Sequence, residues 1–297
     1  MDKEKKTVYF RRNKYRSDDF SIDDLPLTRR KQFFDILKND WKTLLFVGLI
    51  LLFVSLPYLT IDVIHWFIKA NLATQLYSDG GTMETVNQAL KLTEILYEAC
   101  LVPASLLIAI PLAGTARILK RLVHGEGVLF KDDFFEGVKI NVWQFLLLML
   151  IYSVLRFLSQ FVYIMTSDIE IISMISLGVS MGILYVLFVP ILLFMFAQSA
   201  IYKIKFWMNF KNSYQLAINS ILVMVLFSFM IFGVYFMRYI NHPILRVGLD
   251  ALLILLSPLY LLSLSLFTMS KFDLFINKDN YKDIYRKGLK PLEYEKE

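Results

Sequence analysis

Cysteine and histidine are scarce in this chain. Cys100 is the single cysteine among 297 residues, so no disulfide can form within the chain and cysteine-based metal or redox motifs are excluded. Its apolar neighbours Leu101 and Val102 predict a buried thiol. The three histidines show neither His-x3-His nor Glu-x-x-His spacing, and we therefore predict no metal site.

Signatures of soluble enzymes are missing as well. The sequence has no G-x-S-x-G motif, no H-E-x-x-H motif and no phosphate loop of the G-x4-G-K type. It also lacks the cytoplasmic Glu-Ala-Ala…Gly helix of importer permeases that couple to an ATPase. We therefore predict neither an enzyme nor a bound cofactor.

Long apolar runs are the main feature that is present. Apolar residues make up 57% of the chain and its mean hydropathy is +0.53, whereas soluble domains are about 45–50% apolar. A helix of about 20 apolar residues crosses the roughly 30 Å of hydrocarbon in a bilayer. Six candidate spans follow: 44–64, 95–116, 145–165, 172–198, 221–237 and 249–269. The first begins too far along the chain for a cleavable signal peptide. The predicted fold class is all-α, a polytopic bundle of six transmembrane helices.

Lysine and arginine alternate between the two sides of these spans. Of 32 basic residues, 27 fall before the first span, after the second, after the fourth and after the sixth. Only four fall on the other side, and Arg156 lies inside the third span. This bias places both termini in the cytoplasm, against the anionic inner leaflet of the cell membrane. The excess of six positive charges is therefore attributed to lipid and not to nucleic acid, because acidic residues dilute the basic runs.

Amphipathic segments precede three of the spans. Residues 29–43 place Phe33 and Trp41 on one side of a helix and basic residues largely on the other, as in a helix lying in the inner interface. Residues 131–143 form a second such segment, and 206–215 a third. The candidate residues for docking a partner are Phe33 and Trp41 in the first segment and Phe134, Phe135, Asn141 and Trp143 in the second. The shared Phe-x5-Asn-x-aromatic pattern is interpreted either as three repeats or as ordinary enrichment where helices enter the membrane.

Three motifs in order resemble a known family. Residues 55–60 read Ser-Leu-Pro-Tyr-Leu-Thr, residues 111–117 read Pro-Leu-Ala-Gly-Thr-Ala-Arg, and residues 130–141 contain Asp-Phe-Phe followed by Lys-x-Asn. This order is similar to that of the YesL-like family of bacterial integral membrane proteins. The chain departs from it in a longer charged N-terminus and in Tyr58-Leu59. The resemblance implies a membrane protein that accompanies carbohydrate uptake and degradation, and it supplies no catalytic residues.

Charged residues at membrane depth are the strongest candidates for a site, since each is costly unless paired or hydrated. Arg156 lies about 16 Å into the third span at a rise of roughly 1.5 Å per residue. Its candidate partners are Glu94, Glu98, Asp62 and Asp250. Arg156 is interpreted as a structural ion pair or as an anion or substrate site. Glu94 with Glu98, and Asp62 with His65, lie toward the outer ends of the first two spans. They are interpreted as solvated helix ends or as a proton-binding or cation-binding cluster.

Two functions remain open from these observations. The first is a non-enzymatic accessory, scaffold or regulator that docks a protein partner in the membrane or the cytoplasm through its interfacial helices. The second is a small secondary transporter or channel with a path past Arg156. The predicted organisation is a charged segment over 1–28, a membrane domain over 29–270 with an outer loop at 69–93, and a cytoplasmic tail over 271–297. The sequence indicates no particular oligomeric state.

Overall fold

The regular elements of this chain are all helical in the part that the computed structural model describes, residues 25–231, 233, 237, 240 and 242–291. The first three helices are α1 (Arg29–Val54), α2 (Leu56–Ser78) and α3 (Met83–Val123). They are followed by α4 (Phe130–Met165), α5 (Glu170–Gly182), α6 (Val189–Ile201) and α7 (Phe206–Ile218). The last three are α8 (Ile221–Ile231), α9 (Pro243–Phe272) and the short α10 (Lys278–Asn280). A π-helical turn joins α5 to α6, and a second one joins α9 to α10.

Four of these helical stretches are long and apolar enough to cross a membrane by themselves: α3, α4, the stretch Glu170–Ile201 and the stretch Pro243–Asn280. Two further candidates are bent pairs, α1 with α2 at 46° and α7 with α8 at 104°. Counting each bent pair as one span raises the number from four to six. The long apolar helices are those of a multi-pass membrane protein.

The first bent pair has identifiable causes in the sequence. Thr28 caps the start of α1 by accepting a hydrogen bond from the amide of Lys31 at 3.3 Å. Asp40 leaves helical geometry, with φ −119° and ψ 17°, so α1 is kinked where the predicted interfacial segment meets the apolar run. α1 then ends at Ser55, because Pro57 lacks the amide that would continue the ladder and sits in the first turn of α2.

The two ends of the bundle can be distinguished by contacts between loops. The end that we call proximal holds the start of α1, the α3–α4 connection and the chain after α9. These meet through the Arg29–Asp273 ion pair at 2.7 Å and the Lys287–Glu126 ion pair at 2.8 Å. The opposite, distal end holds the α2–α3 and α4–α5 connections, and the Lys91–Asp168 ion pair at 2.6 Å joins the α4–α5 connection to the first part of α3.

Small residues let α3 and α4 pack closely. A Cβ added at Gly114 on α3 would stand 2.7 Å from the ring of Phe134 on α4. A Cβ added at Gly137 on α4 would stand 2.7 Å from the Cβ of Arg117 on α3. Close backbone approach through glycine is a common way for membrane helices to pack, since lipid provides no hydrophobic drive between them.

α6 is the most deeply buried helix of the bundle. Seven consecutive residues, from Val189 to Met195, are buried whatever side of the helix they occupy. A helix that is apolar all round and buried all round belongs to the centre of a bundle. α1, α3, α4 and α9 all contribute side chains to the core that contains it.

Helix ends differ from the predicted spans in the distal region. α2 continues to Ser78 and α3 begins at Met83, so most of the predicted outer connection over 69–93 is helical and the non-helical part is a short turn. Hydropathy marks where apolar residues stop, whereas helical hydrogen bonding continues through the polar residues beyond them. The predicted buried environment of Cys100 is wrong, because this residue is exposed on the surface of α3.

Candidate functional site

An ion pair between α3 and α4 lies at the centre of the candidate site. The Nη2 of Arg156 stands 3.1 Å from the Oε2 of Glu98, and both side chains are almost completely buried, at 3% and 0% exposed. Arg156 also donates from Nη1 to the hydroxyl of Tyr58 on α2 at 3.4 Å. Of the four predicted partners of Arg156, the structure therefore brings Glu98 against it.

A second ion pair joins α2 to α9. Asp62 is paired with Arg246, and both residues are buried. The hydroxyl of Tyr97, which neighbours Glu98 on α3, donates to Asp62 and lies 3.4 Å from Arg246. The ring of His65 stacks on that of Tyr97 with 3.9 Å between centroids. These contacts tie α2, α3 and α9 together through polar groups.

Glu94 and Asp250 occupy different surroundings from the two central acids. Glu94 pairs with Lys69 on α2 at 2.6 Å and lies 3.5 Å from the Nε2 of His65. Asp250 is buried one helical turn beyond Arg246. Glu94, Glu98 and Asp62 therefore each face a basic residue instead of converging on one another. Among the described residues, no group of three or more acidic, histidine or cysteine side chains is arranged to hold a metal ion.

The two buried ion pairs, Arg156–Glu98 and Asp62–Arg246, are called the charged layer below. Two cavities lie in line with it. One, of about 130 Å³, is lined by Arg156, Tyr58, Tyr152 and several serines. The other, of about 110 Å³, lies toward the proximal end and includes Thr115 and Lys120. The two cavities share three lining residues: Leu112, Met149 and Leu261. They therefore adjoin each other along the bundle, between α3, α4 and α9.

A larger cleft of about 600 Å³ opens at the distal end, and we call it the distal cleft. α2, α3, α4 and α9 all contribute to its lining. Tyr97 and Arg246 line it, so the distal cleft reaches the second ion pair.

Sequence reasoning did not identify several residues of this site. The predicted spans leave Arg246 outside the membrane, before the sixth span at 249–269, yet it lies within α9 and pairs with Asp62. One signal for it was available: Arg246 and Asp250 are four residues apart and share one helix face. Tyr97 and Tyr58 carry no comparable signal, since aromatic residues are abundant throughout this chain.

The predicted docking residues divide between buried and exposed positions. In the first segment Trp41 is 50% exposed and Phe33 is half-buried, while Gln32 and Ile36 on the adjacent stripe are buried. In the second segment Phe135 and Trp143 are 63% and 79% exposed, whereas Phe134 and Asn141 are buried against the bundle. The outward-facing members of the predicted set are therefore Trp41, Phe135 and Trp143.

The third amphipathic segment, α7, packs on α6 through polar side chains. Asn209 donates to the hydroxyl of Ser199 at 2.9 Å, and Gln198 donates to the hydroxyl of Ser213 at 2.7 Å. The opposite side of α7 carries Trp207, which is 76% exposed. The sharp turn between α7 and α8 separates this segment from its span, whereas the first two segments continue into theirs.

The chain after α9 folds back on the proximal end of the bundle. Gln32 donates to the carbonyl oxygens of Val123 at 2.7 Å and of Gly288 at 3.3 Å. Gly288 has φ +82°, and a Cβ there would collide with the Val123 carbonyl, so this position favours glycine. The predicted boundary at residue 270 stays a prediction, and most of the predicted segment 1–28 lies outside the described residues.

His124 and Glu126 lie in the loop after α3, at the centre of this proximal assembly. Burial lowers the pKa of His124 to about 4, and the nearby charges of Lys120 and Lys287 act in the same direction. Burial by itself would raise the pKa of Glu126, but the hydrogen bond and charge of Lys287 bring it below the usual value. At neutral pH His124 is therefore uncharged and Glu126 is ionised.

Comparison with protein families, curated proteins and solved structures finds no match to this chain. The resemblance to YesL-like proteins stays a prediction from the motifs. The geometry described above is what supports a functional proposal.

Proposed function

We propose that this chain spans the plasma membrane six times, with both termini in the cytoplasm. Two bent pairs, α1 with α2 and α7 with α8, supply the fifth and sixth spans. The loops that meet at the proximal end are those in which the sequence concentrates lysine and arginine, as expected of a cytoplasmic face. α7 and the first turns of α1 and α4 would then lie in the inner interface, against anionic lipid.

Cysteine labelling tests this topology. Ser78 in the distal region and Lys131 in the proximal region are both exposed, so each is replaced by cysteine in a Cys100→Ser background. A membrane-impermeant maleimide added to intact cells should label position 78 only, and both positions once the membrane is opened. Labelling of position 131 in intact cells would contradict the proposed orientation.

Within this topology we infer that the protein is a non-enzymatic accessory that docks a protein partner on its cytoplasmic face. The observation that carries this proposal is the pairing of the membrane-depth charges with one another, Arg156 with Glu98 and Asp62 with Arg246. Charges that are paired and buried serve helix packing more readily than solute passage. The exposed aromatic rings of Phe135 and Trp143 remain available to a partner.

The chemistry of the partner is proposed from the motif resemblance alone. Membership of the YesL-like family would make the partner a component of carbohydrate uptake or utilisation in a bacterium. The motifs are specific in the stretch 110–143, which contains the cytoplasmic segment 117–142. It also carries the exposed basic residues Lys131 and Lys139, beside Phe135.

Photocross-linking in living cells tests the accessory role. A cross-linking amino acid at position 135 should give one stoichiometric protein adduct. The same group at Leu222, which is 81% exposed on the apolar helix α8, should react with lipid. The double variant Lys131→Glu and Lys139→Glu should lose the adduct while its melting temperature is unchanged. Identical adducts at 135 and 222, or retention of the adduct in the charge variant, would contradict docking through this segment.

A second candidate, a small transporter or channel, is supported by the two adjoining cavities beside Arg156. They give the bundle an internal space on one side of the charged layer, and the distal cleft lies on the other. In this case an Arg156→Leu variant that stays folded would lose solute uptake in liposomes. Loss of stability without any wild-type uptake would leave the accessory role as the sole proposal.

A further inference from the structure

The distal cleft is a second site that the accessory role does not use. It has a volume of about 600 Å³, within the range of about 300–1,000 Å³ found for small-molecule pockets. Its lining combines charged, aromatic and amide side chains, and it holds five charged residues: Lys69, Lys91, Glu94, Asp168 and Arg246. Each of the two smaller cavities has a single charged residue, Lys120 in one and Arg156 in the other.

The charges of the distal cleft are balanced in pairs. Lys69 pairs with Glu94 and Lys91 with Asp168, each at 2.6 Å. The third cation, Arg246, pairs with Asp62 beneath the cleft. A ligand with one net charge would compete for one member of a pair and leave the other without compensation. A ligand carrying both signs can engage a cation of one pair and an acid of the other, and the two partners that it displaces are themselves of opposite sign, so the net charge of the cleft is unchanged.

The spacing of the groups fits a ligand whose two charges are close together. Lys91 and Glu94 are three residues apart on α3, so they lie on the same helix face about one turn, or roughly 5 Å, from each other. Both side chains line the cleft, with 25% of Lys91 and 16% of Glu94 exposed.

We propose that the distal cleft binds a small zwitterion that carries an ammonium and a carboxylate or phosphate group. Lys91 receives the anionic group, and Glu94 receives the ammonium. Two sources present this chemistry at an outer membrane surface: a free amino acid, and the ethanolamine phosphate headgroup of a lipid. Access of these ligands to the cleft from outside the cell rests on the topology proposed above. Binding to the purified protein depends neither on that orientation nor on a docking partner.

Calorimetric titration of the purified full-length protein in detergent tests the ligand class. Glycine and glycerophosphoethanolamine are the zwitterionic probes, and acetate and ethylamine are single-charge counterparts. At least one zwitterion should bind saturably and at least tenfold more tightly than either counterpart. Absence of saturable binding by both zwitterions, or equal binding of the counterparts, would overturn the proposal.

A charge exchange tests the location. The double variant Lys91→Asp and Asp168→Lys keeps an ion pair but reverses its polarity, and should weaken zwitterion binding at least tenfold at an unchanged melting temperature. The matched control is Arg117→Glu with Glu136→Arg, which exchanges a proximal pair that is also 2.6 Å apart and should bind as the parent does. Undiminished binding in the Lys91 and Asp168 exchange would overturn the assignment to the distal cleft.

Nanodiscs distinguish the two sources of the ligand. If a lipid headgroup occupies the distal cleft, nanodiscs containing phosphatidylethanolamine should block titration by glycerophosphoethanolamine, whereas nanodiscs of phosphatidylglycerol should not. If the ligand is a free solute, binding should be the same in both. Either result supports a zwitterion site and identifies its source, and loss of zwitterion binding in both kinds of nanodisc would overturn it.

Discussion

Arg156 on α4 and Glu98 on α3 form a buried ion pair, with 3.1 Å between Nη2 and Oε2. Removing one member leaves the other charge buried without its counter-ion, which costs about 3–5 kcal/mol in comparable pairs, whereas replacing both by apolar residues is often neutral. We expect Arg156→Leu to lower the melting temperature strongly in detergent.

The matched comparison is the double variant Glu98→Leu with Arg156→Leu. It should recover most of the stability lost in Arg156→Leu, because no unpaired charge remains. Equal instability of the single and double variants would show that Arg156 contributes through other contacts, such as the one with Tyr58.

Close packing of α3 on α4 gives a second prediction. Gly114→Ala places a Cβ 2.7 Å from the ring of Phe134, and overpacking of this kind costs about 1–3 kcal/mol. The control is Gly178→Ala on α5, where nothing lies within 4 Å of the added Cβ. The midpoint of thermal unfolding should be lower for Gly114→Ala than for the parent protein, and it should be unchanged for the control. A stable Gly114→Ala variant would mean that the two helices separate at little cost.

The pKa of His124 gives a prediction about pH. This pKa is about 4 in the folded protein, against an ordinary value of 6.5, so between these values the unfolded chain binds more protons. The contribution of uncharged His124 to the free energy of unfolding should therefore be fully present above pH 6.5 and should decrease as the pH drops toward 4. Glu126, with a pKa below its ordinary 4.5, loses its ionised form only at lower pH.

Melting temperatures measured between pH 4.5 and 6.5 check this expectation. His124→Gln removes the titrating group and should flatten the pH dependence in this window. A wild-type slope that persists in His124→Gln would assign the effect to another group.

Docking of the C-terminal segment depends on Arg29. Its guanidinium pairs with Asp273 at 2.7 Å and donates to the carbonyl of Lys287 at 3.0 Å. Arg29→Met should release the residues after α9, and limited proteolysis should then cleave there several-fold faster than in the parent. Arg30→Met is the control, since Arg30 is exposed beside it. Equal cleavage of the two variants would contradict an anchoring role for Arg29.

The predicted charges were informative because a charge at membrane depth requires a partner. That rule identified Arg156, Glu98, Asp62 and Asp250 from the sequence, and named Glu98 among the partners of Arg156. Arg246 was missed because the predicted span began three residues after it, at residue 249. A span boundary placed only a few residues too late therefore excludes Arg246 from the charges predicted at membrane depth.

The amphipathic segments show a different limit. The Phe33 and Trp41 stripe was correctly placed on a helix, yet the buried stripe holds Gln32 and Ile36. In a membrane protein an apolar side chain is equally stable against lipid or protein, so apolar periodicity does not identify the face that packs on the bundle. Polar residues such as Gln32 are better markers of that face, because they need partners inside the protein.

Hydropathy along the chain is sufficient to predict an all-helical protein with long apolar helices, because about 20 apolar residues are needed to cross a bilayer at the rise of an α-helix. The same reading marks the charged residues that are too costly to leave unpaired. Which partner each charge has, Glu98 for Arg156 and Arg246 for Asp62, is set by tertiary packing, and so is the folding of the chain near Gly288 onto the proximal end. These outcomes depend on how distant helices are rotated and inclined, which is set by packing at positions such as Gly114 and Gly137 and not by local hydropathy.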